Sequence, residues 1–249
     1  MTNGAQTLSV LSWNVHRSRG SDGLVDPDRT LVALTDEAWR PDVRGLVLQE
    51  ADAEIPPHAG ILDIARVEAA TGLRSVHVER SRRWGQESHG FLGTILFLHP
   101  SIEVEEVVLL DLPGRCHRGA VVLDGRWDGR AFRLVGTHLS LLQALRIAQM
   151  RTLGQHLFRR PARQTILCGD LNEWRPWGGL ALSKRILGMR FSGPAPATFP
   201  IRRPFLPLDR ILTTEPGRVV RAEVRDGDGI RMASDHRPLL ADVLLPRTG

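Results

Sequence analysis

Tyrosine is absent from this 249-residue chain, lysine occurs only at Lys184, and cysteine only at Cys116 and Cys168. Without tyrosine, no site in the protein uses a phenol. Two thiols build no disulfide framework and cannot make a zinc site without histidines at matching spacing. Cys168 falls inside an apolar run and reads as a small buried hydrophobe. No apolar stretch approaches the ~20 residues of a membrane-spanning helix; residues 45–48 and 239–245 are among the longest. Residues 1–9 show neither the basic segment nor the apolar core of a signal peptide. A cytoplasmic protein without stable membrane insertion is therefore expected. Repeats, low-complexity tracts and Pro/Gly-rich linkers are missing too. A single domain over residues 1–249 is the expectation, at the top of the usual size range.

What is present is ordinary for a globular protein, 42% hydrophobic and 24% charged residues. The formal charge is +5 and the isoelectric point about 10.6, which favours anionic partners. Every basic residue but one is arginine. Its planar fork suits phosphate, although so uniform a bias also fits a G+C-rich genome. The groups Arg80/Arg82/Arg83, Arg159/Arg160/Arg163 and Arg202/Arg203 are too short for a nucleic-acid arm and read as solvated faces.

Residues 8–13 read as a first strand ending at Asn14. Asp26 then supplies an N-cap and Pro27 a first helical position, for a helix through Leu31, Leu34 and Trp39 that stops before Pro41. A strand over 43–49 ends at Glu50, and a helix over 61–71 is closed by Gly72. Short strands are expected over 74–78, 93–97, 104–110, 120–127 and 132–136, with Asp128-Gly129 as a hairpin turn. Residues 139–158 form an amphipathic helix through Leu142, Leu145, Ala148 or Gln149, Leu153 and Leu157, stopped by Pro161. Strands over 164–169, 210–213, 221–224 and 238–245 complete the pattern. Many short strands with few helices predict an α/β sandwich in four layers, two packed sheets with helices outside.

Polar residues punctuate these strands at their ends: Asn14, Glu50, His138, the Gly169-Asp170-Leu171-Asn172 stretch, Asp209, and Asp235-His236. Asp170 and Asn172 are two positions apart, so an extended chain points both side chains to one face; an Asx-rich turn is the alternative. Residues at neighbouring strand ends line one rim of a sheet, where a site can be assembled without disturbing the core. The four carboxylates Glu50, Asp170, Asp209 and Asp235 suit hard cations such as Mg²⁺ or Mn²⁺ rather than Zn²⁺. The histidines can donate to phosphate oxygens or exchange protons. No nucleophile elbow and no Gly-rich phosphate loop with a lysine occurs, which excludes a covalent serine hydrolase and a nucleotide-driven kinase. Metal-assisted attack of water on a phosphate ester is the class that remains.

In these pieces the chain resembles the endonuclease/exonuclease/phosphatase superfamily of metal-dependent phosphoesterases. The matching segments are Ser12-Trp13-Asn14-Val15-His16, Leu48-Gln49-Glu50, Gly136-Thr137-His138-Leu139, Gly169-Asp170-Leu171-Asn172, Leu208-Asp209-Arg210-Ile211 and Ser234-Asp235-His236-Arg237-Pro238. They follow the family order over nearly the whole chain. The resemblance implies an αββα sandwich of two packed mixed β-sheets flanked by helices. It implies Glu50 as the main Mg²⁺ ligand, with Asn14 beside it and Asp235 close to the metal. Asp170 orients or deprotonates the attacking water, and Asn172 holds that water or the phosphate. His236, polarised by Asp209, contacts the scissile phosphate, and His138 binds a second phosphate oxygen. Each has a plainer alternative: Asn14 could end a strand, His138 could be a core histidine, and Asp209 could pair with Arg210.

Some features depart from the family pattern. Gly93-Thr94-Ile95-Leu96-Phe97-Leu98-His99-Pro100 lacks the asparagine and the Ser-Arg that many relatives carry there. His16 replaces the acidic residue or asparagine usual in abasic-site nucleases, so the chain looks more like the bacterial phosphodiesterase-like and sphingomyelinase-like branches. Arg115 and Arg118 resemble a phosphate-contacting arginine of those branches. Trp174, just after the Asp-Leu-Asn motif, and Trp177 can form an aromatic wall, either to stack a base or to meet a lipid headgroup. The sequence thus points to a Mg²⁺-dependent phosphodiester hydrolase. A DNA or RNA nuclease, a lipid phosphodiesterase and a non-catalytic binding module are the alternatives.

Overall fold

The computed structural model describes residues 6–114 and 117–246; Arg115 and Cys116 lie outside them. One sheet contains β1 (Gln6–Asn14), β2 (Val43–Gln49), β3 (Arg74–Ser75), β4 (Ile95–Leu98), β11 (Arg218–Val224) and β12 (Leu239–Leu245). The other contains β5 (Glu103–Asp111), β6 (Gly119–Trp127), β7 (Arg130–His138), β8 (Gln164–Asp170), β9 (Phe191–Ser192) and β10 (Asp209–Thr214). Their spatial orders are β11-β12-β1-β2-β4-β3 and β5-β6-β7-β8-β10-β9. Both sheets are mixed, since β1–β2 and β7–β8 run parallel while their other neighbours are antiparallel.

Strand periodicity sorts the side chains into layers. Leu8 and Val10 of β1, Val47 of β2, Phe132 and Leu134 of β7, Ile166 and Cys168 of β8 and Ile211 of β10 fill the space between the sheets. The alternate positions Leu11, Trp13, Leu46 and Leu48 pack outward with Ala33, Val67 and Ile230, against α1 (Pro27–Ala33), α2 (Ile64–Thr71) and α5 (Asp228–Ala233). Val122, Val135 and Leu167 do the same on the other sheet, under α3 (Gln143–Phe158) and α4 (Lys184–Leu187). Helices, two sheets and helices make the four expected layers. Cys168 is fully buried, as the sequence implied, and burial pushes its thiol well above the ordinary range.

Several element boundaries moved, each for a local reason. The strand expected over 74–78 stops at Ser75, because the His77 ring takes over from the backbone: its Nε2 accepts from Leu96 N at 3.2 Å and its Nδ1 meets Arg82 O at 2.5 Å. The helix expected from 61 starts at Ile64, where the Asp63 side chain caps Arg66 N at 3.1 Å. On α3 the expected Gln149, Leu153 and Leu157 are buried, and only the first turn differs. Leu142 is exposed, whereas Arg146, Gln149, Met150, Leu153 and Leu157 are buried. Arg146 can lie inside because its Nη1 donates to the carbonyls of Ser140 and Leu141 at 3.0 and 2.5 Å.

Candidate active site

Parallel pairing brings strand C-termini together, and an antiparallel neighbour adds its N-terminus to the same edge. The ends of β1, β2, β7 and β8 and the beginnings of β10 and β12 therefore share one rim. In register, Asp170 stands opposite His138 on one side and Asp209 on the other, and Asn14 opposite Gln49. Side-chain parity does the rest. Asn14 continues the inward row of Leu8, Val10 and Ser12; His138 that of Phe132 and Leu134; Asp170 that of Ile166 and Cys168; Asp209 begins that of Ile211. Where the inter-sheet core runs out, its rows end in polar groups that face one another across the two sheets.

Asp170 is the hub. Its Oδ2 accepts from Asn14 Nδ2 at 3.0 Å and lies 3.3 Å from His138 Nε2 and 3.7 Å from His236 Nε2. Burial, the largest effect, raises its carboxyl to about 6 against the pull of His236. The chain does not stay extended beyond it: Asn172 has φ 50° and its N donates to Asp170 Oδ1 at 3.0 Å. The expected common face of Asp170 and Asn172 thus arises through an Asx turn instead of an extended strand. Asn172 Nδ2 donates to Leu139 O at 2.9 Å and lies 3.2 Å from His138 Nε2. Gly169 has φ 137°, and a Cβ there would fall 1.8 Å from Thr137 O, so only glycine lets β8 pass β7 this closely.

Asp209 is fully buried and orients His236, its Oδ2 lying 2.8 Å from His236 Nδ1 and accepting from Thr198 Oγ1 at 2.6 Å. Burial disfavours the imidazolium, but the carboxylates of Asp209 and Asp170 outweigh it and raise His236 to about 10. Asp209 does not pair with Arg210, whose guanidinium turns the other way onto the carbonyls of Glu173 and Arg175. His138 behaves oppositely. Its burial, with Arg118, His236 and Arg17 nearby, holds its pKa well below the usual value, so the ring is neutral.

Glu50 lies at the rim in a left-handed conformation, φ 54°, with Oε2 2.6 Å from Arg17 Nη1 and Oε1 3.9 Å from His138 Nδ1. Asp235 is the most open of the carboxylates, its side chain 42% exposed and 3.5 Å from His16 Nδ1. These groups line a cleft of about 430 Å³, together with Arg118, Leu141, Trp174 and Phe199. Arg118 keeps one hydrogen bond, to His117 O at 3.0 Å, and Trp174 is 51% exposed with the Arg175 guanidinium 5.2 Å from its ring. Asn14, His16, Glu50, Arg118, His138, Asp170, Asn172, Trp174, Asp235 and His236 line this cleft and Asp209 lies behind it, whereas Trp177 does not line it and Arg115 lies outside the described residues. Sequence reasoning missed Arg17, Thr198 and Glu173. Arg17 directly follows a recognised segment and was within reach. Thr198 and Glu173, the latter buried and anchoring the Trp174 loop through Arg175 at 2.6 Å, carry no local signal.

Two groupings offer cation ligands. Asp170, Asp209 and His236 present atoms within 4.8 Å of one another. There the protonated His236 already satisfies Asp209, which makes that trio an ion-pair relay. Glu50, Asn14, Asp170 and Asp235 line the cleft and carry oxygen donors, with Asn14 Oδ1 accepting from His16 N at 3.0 Å and Glu50 paired with Arg17. That donor set fits a hard divalent ion.

Two packed sheets between helical layers thus end in one rim of carboxylates and histidines. Residues 11–236 match the model of the Endonuclease/Exonuclease/phosphatase family, and the chain belongs to that family. Among solved structures, an endonuclease/exonuclease/phosphatase from Bacteroides vulgatus superimposes with a TM-score of 0.70 at 17% identity, covering 96% of this chain and 99% of that one. TDP2 of D. rerio, complexed with single strand DNA product, gives 0.65 at 19% identity over 95% and 98% of the two chains. The human Nocturnin catalytic domain with bound sulfate anion gives 0.64 at 18% identity over 95% and 94%. At such identities these likenesses are of fold. No curated protein matches the chain. Among the described residues no helix is long and apolar enough to cross a membrane.

Proposed function

We propose that this protein is a Mg²⁺-dependent phosphodiester hydrolase, with Mn²⁺ as an alternative ion, that cleaves by direct attack of water. The observation that carries the reading is the convergence on Asp170 Oδ2 of Asn14 Nδ2, His138 Nε2 and His236 Nε2, at 3.0, 3.3 and 3.7 Å. Asp170 orients a water and takes its proton as oxygen attacks phosphorus and the ester oxygen departs. Asn172 holds that water or a phosphate oxygen. His236, kept cationic by Asp209, directs its Nε2–H at the charge growing on the phosphate, and neutral His138 offers one N–H to another oxygen. Glu50, Asn14 and Asp235 hold the metal, which supplies Lewis-acid stabilisation of the phosphate when bound. Arg118 and His16 face the same cleft as phosphate-binding groups. Asp170→Ala and His236→Ala each reduce turnover of bis-p-nitrophenyl phosphate with Mg²⁺ by about a hundredfold or more; full activity in both overturns the mechanism. A panel of phosphate mono- and diesters assigns the ester class.

A nucleic acid is the second reading, favoured by the half-exposed Trp174 under Arg175 at the cleft and by the +5 charge. Cleavage of plasmid or single-stranded DNA that stops in EDTA supports it, and failure to bind DNA at low salt sinks it. Headgroup release from liposomes assigns a lipid phosphodiester instead. A binding module without catalysis is disfavoured, since Glu50, Asp170, Asn172, Asp235 and His236 are all in place.

A further inference from the structure

Between β1 and α1 the chain makes a turn that ordinary side chains resist. His16, Arg17 and Ser18 take φ of 47°, 55° and 55°, three consecutive left-handed residues, none of them glycine. Each such residue costs roughly 1–2 kcal/mol, so the turn persists only because its surroundings overdetermine it. They do: His16 N donates to Asn14 Oδ1 at 3.0 Å, Arg17 N to Glu50 O at 3.0 Å and Ser18 N to Val15 O at 2.8 Å. The turn is thus tied to the ends of both β1 and β2, and it delivers the Arg17 guanidinium into the rim of the cleft.

There Arg17 is shared between two carboxylates. Nη1 lies 2.6 Å from Glu50 Oε2 and Nη2 lies 3.3 Å from Glu54 Oε2. The two seats differ in exposure: the Glu50 side chain is 13% exposed, that of Glu54 63%, and that of Arg17 26%. Without a positive charge beside it, the largely buried Glu50 carboxylate would be poorly solvated. Arg17 supplies that charge. Glu50 cannot give the same oxygen fully to a divalent ion and to a guanidinium, while Glu54 offers Arg17 a second, wetter position that needs no movement of the backbone.

We propose that Arg17 is a resident counter-cation of Glu50 and that a divalent ion displaces it onto Glu54. The inference rests on Glu50 being a metal ligand. Metal affinity is then set by a competition within the protein, and Arg17 lowers it. A strained turn is suited to this role because it fixes the stem of Arg17 and leaves only the guanidinium to move.

The test is calorimetric titration of Mn²⁺ into the full chain, with circular dichroism to verify folding. Arg17→Met binds Mn²⁺ more tightly by roughly three- to tenfold, the factor expected when a partly buried ion pair no longer has to be broken. Arg17→Lys, which keeps the charge but cannot fork across both carboxylates, falls between wild type and Arg17→Met. Glu54→Gln weakens Mn²⁺ binding, and does so less in the Arg17→Met background, a coupling that simple loss of a nearby charge does not produce. Unchanged affinity in both Arg17 variants, with Glu50→Gln losing binding, overturns the competition and leaves the metal site standing. Full affinity in Glu50→Gln overturns the metal-ligand reading and this inference with it.

Discussion

At the scale of single residues, chemistry follows from who faces whom. Asp209 and Asp170 flank His236 and raise its pKa from 6.5 to about 10, while burial raises Asp170 from 3.8 to about 6. Activity therefore rises as Asp170 ionises through about 6, or lower once a cation sits beside it, and falls as His236 deprotonates through about 10. A pH–rate profile checks both limbs, and Asp209→Asn moves the alkaline limb down. The same pair carries stability. Because the folded-state pKa of His236 lies above the unfolded one, its contribution is full below 6.5 and is lost as pH rises through 10. Asp209→Asn, compared with wild type by urea unfolding in EDTA, is less stable by about 3–5 kcal/mol at pH 6. The gap narrows at more alkaline pH. Thr198→Val removes the 2.6 Å hydrogen bond to Asp209 and lowers kcat more than it raises KM, since Thr198 lies behind the dyad and outside the cleft lining.

At the scale of elements, the fold depends on a few positions where backbones nearly touch. Gly169→Ala puts a methyl 1.8 Å from Thr137 O at φ 137°, and the β7–β8 pair must separate to accept it. Loss of about 2–4 kcal/mol in urea unfolding is expected, together with loss of activity, because His138 and Asp170 face each other across that pair. Beneath the helical layer, Arg133 donates from Nε and Nη2 to the carboxylate of Asp124 at 2.6 and 2.9 Å, both residues being buried. Of the arginines read from sequence as solvated faces, Arg80, Arg159, Arg202 and Arg203 are exposed, while Arg160 Nη2 reaches Asp124 at 3.1 Å and Arg83 Nε donates to His77 O at 2.6 Å. Most strand positions were legible because mostly apolar runs ended in polar residues, but the two-residue β9 was not. The ends of β3 and α2 were not, because a ring nitrogen of His77 and the carboxylate of Asp63 replaced backbone partners. At the start of α3, Leu142 is exposed and Arg146 buried for a similar reason. Arg146 reads as solvent-facing until the carbonyls that receive it are known.

At the scale of the whole molecule, the net charge of +5 favours the approach of the anionic ester proposed above, and Trp174 stands half-exposed at the cleft. EDTA abolishes hydrolysis and either Mg²⁺ or Mn²⁺ restores it; activity surviving chelation removes the metal from the mechanism. On the nucleic-acid reading, fluorescence anisotropy with a single-stranded oligonucleotide shows binding that weakens as salt rises, and Trp174→Ala lowers it by roughly ten- to a hundredfold, the worth of one stacked base.

The sequence by itself determined the layers and which strand ends carry the polar residues of the rim. Alternating apolar residues can bury both faces of a strand only between two covered surfaces, and Asn14, His138, Asp170 and Asp209 extend or begin inward rows by parity alone. Only the tertiary structure decided their partners and surroundings. Protonation of His236, neutrality of His138 and the pairing of Glu50 with Arg17 arise from distances between groups far apart in the chain, and a charge takes its state from its neighbours in space.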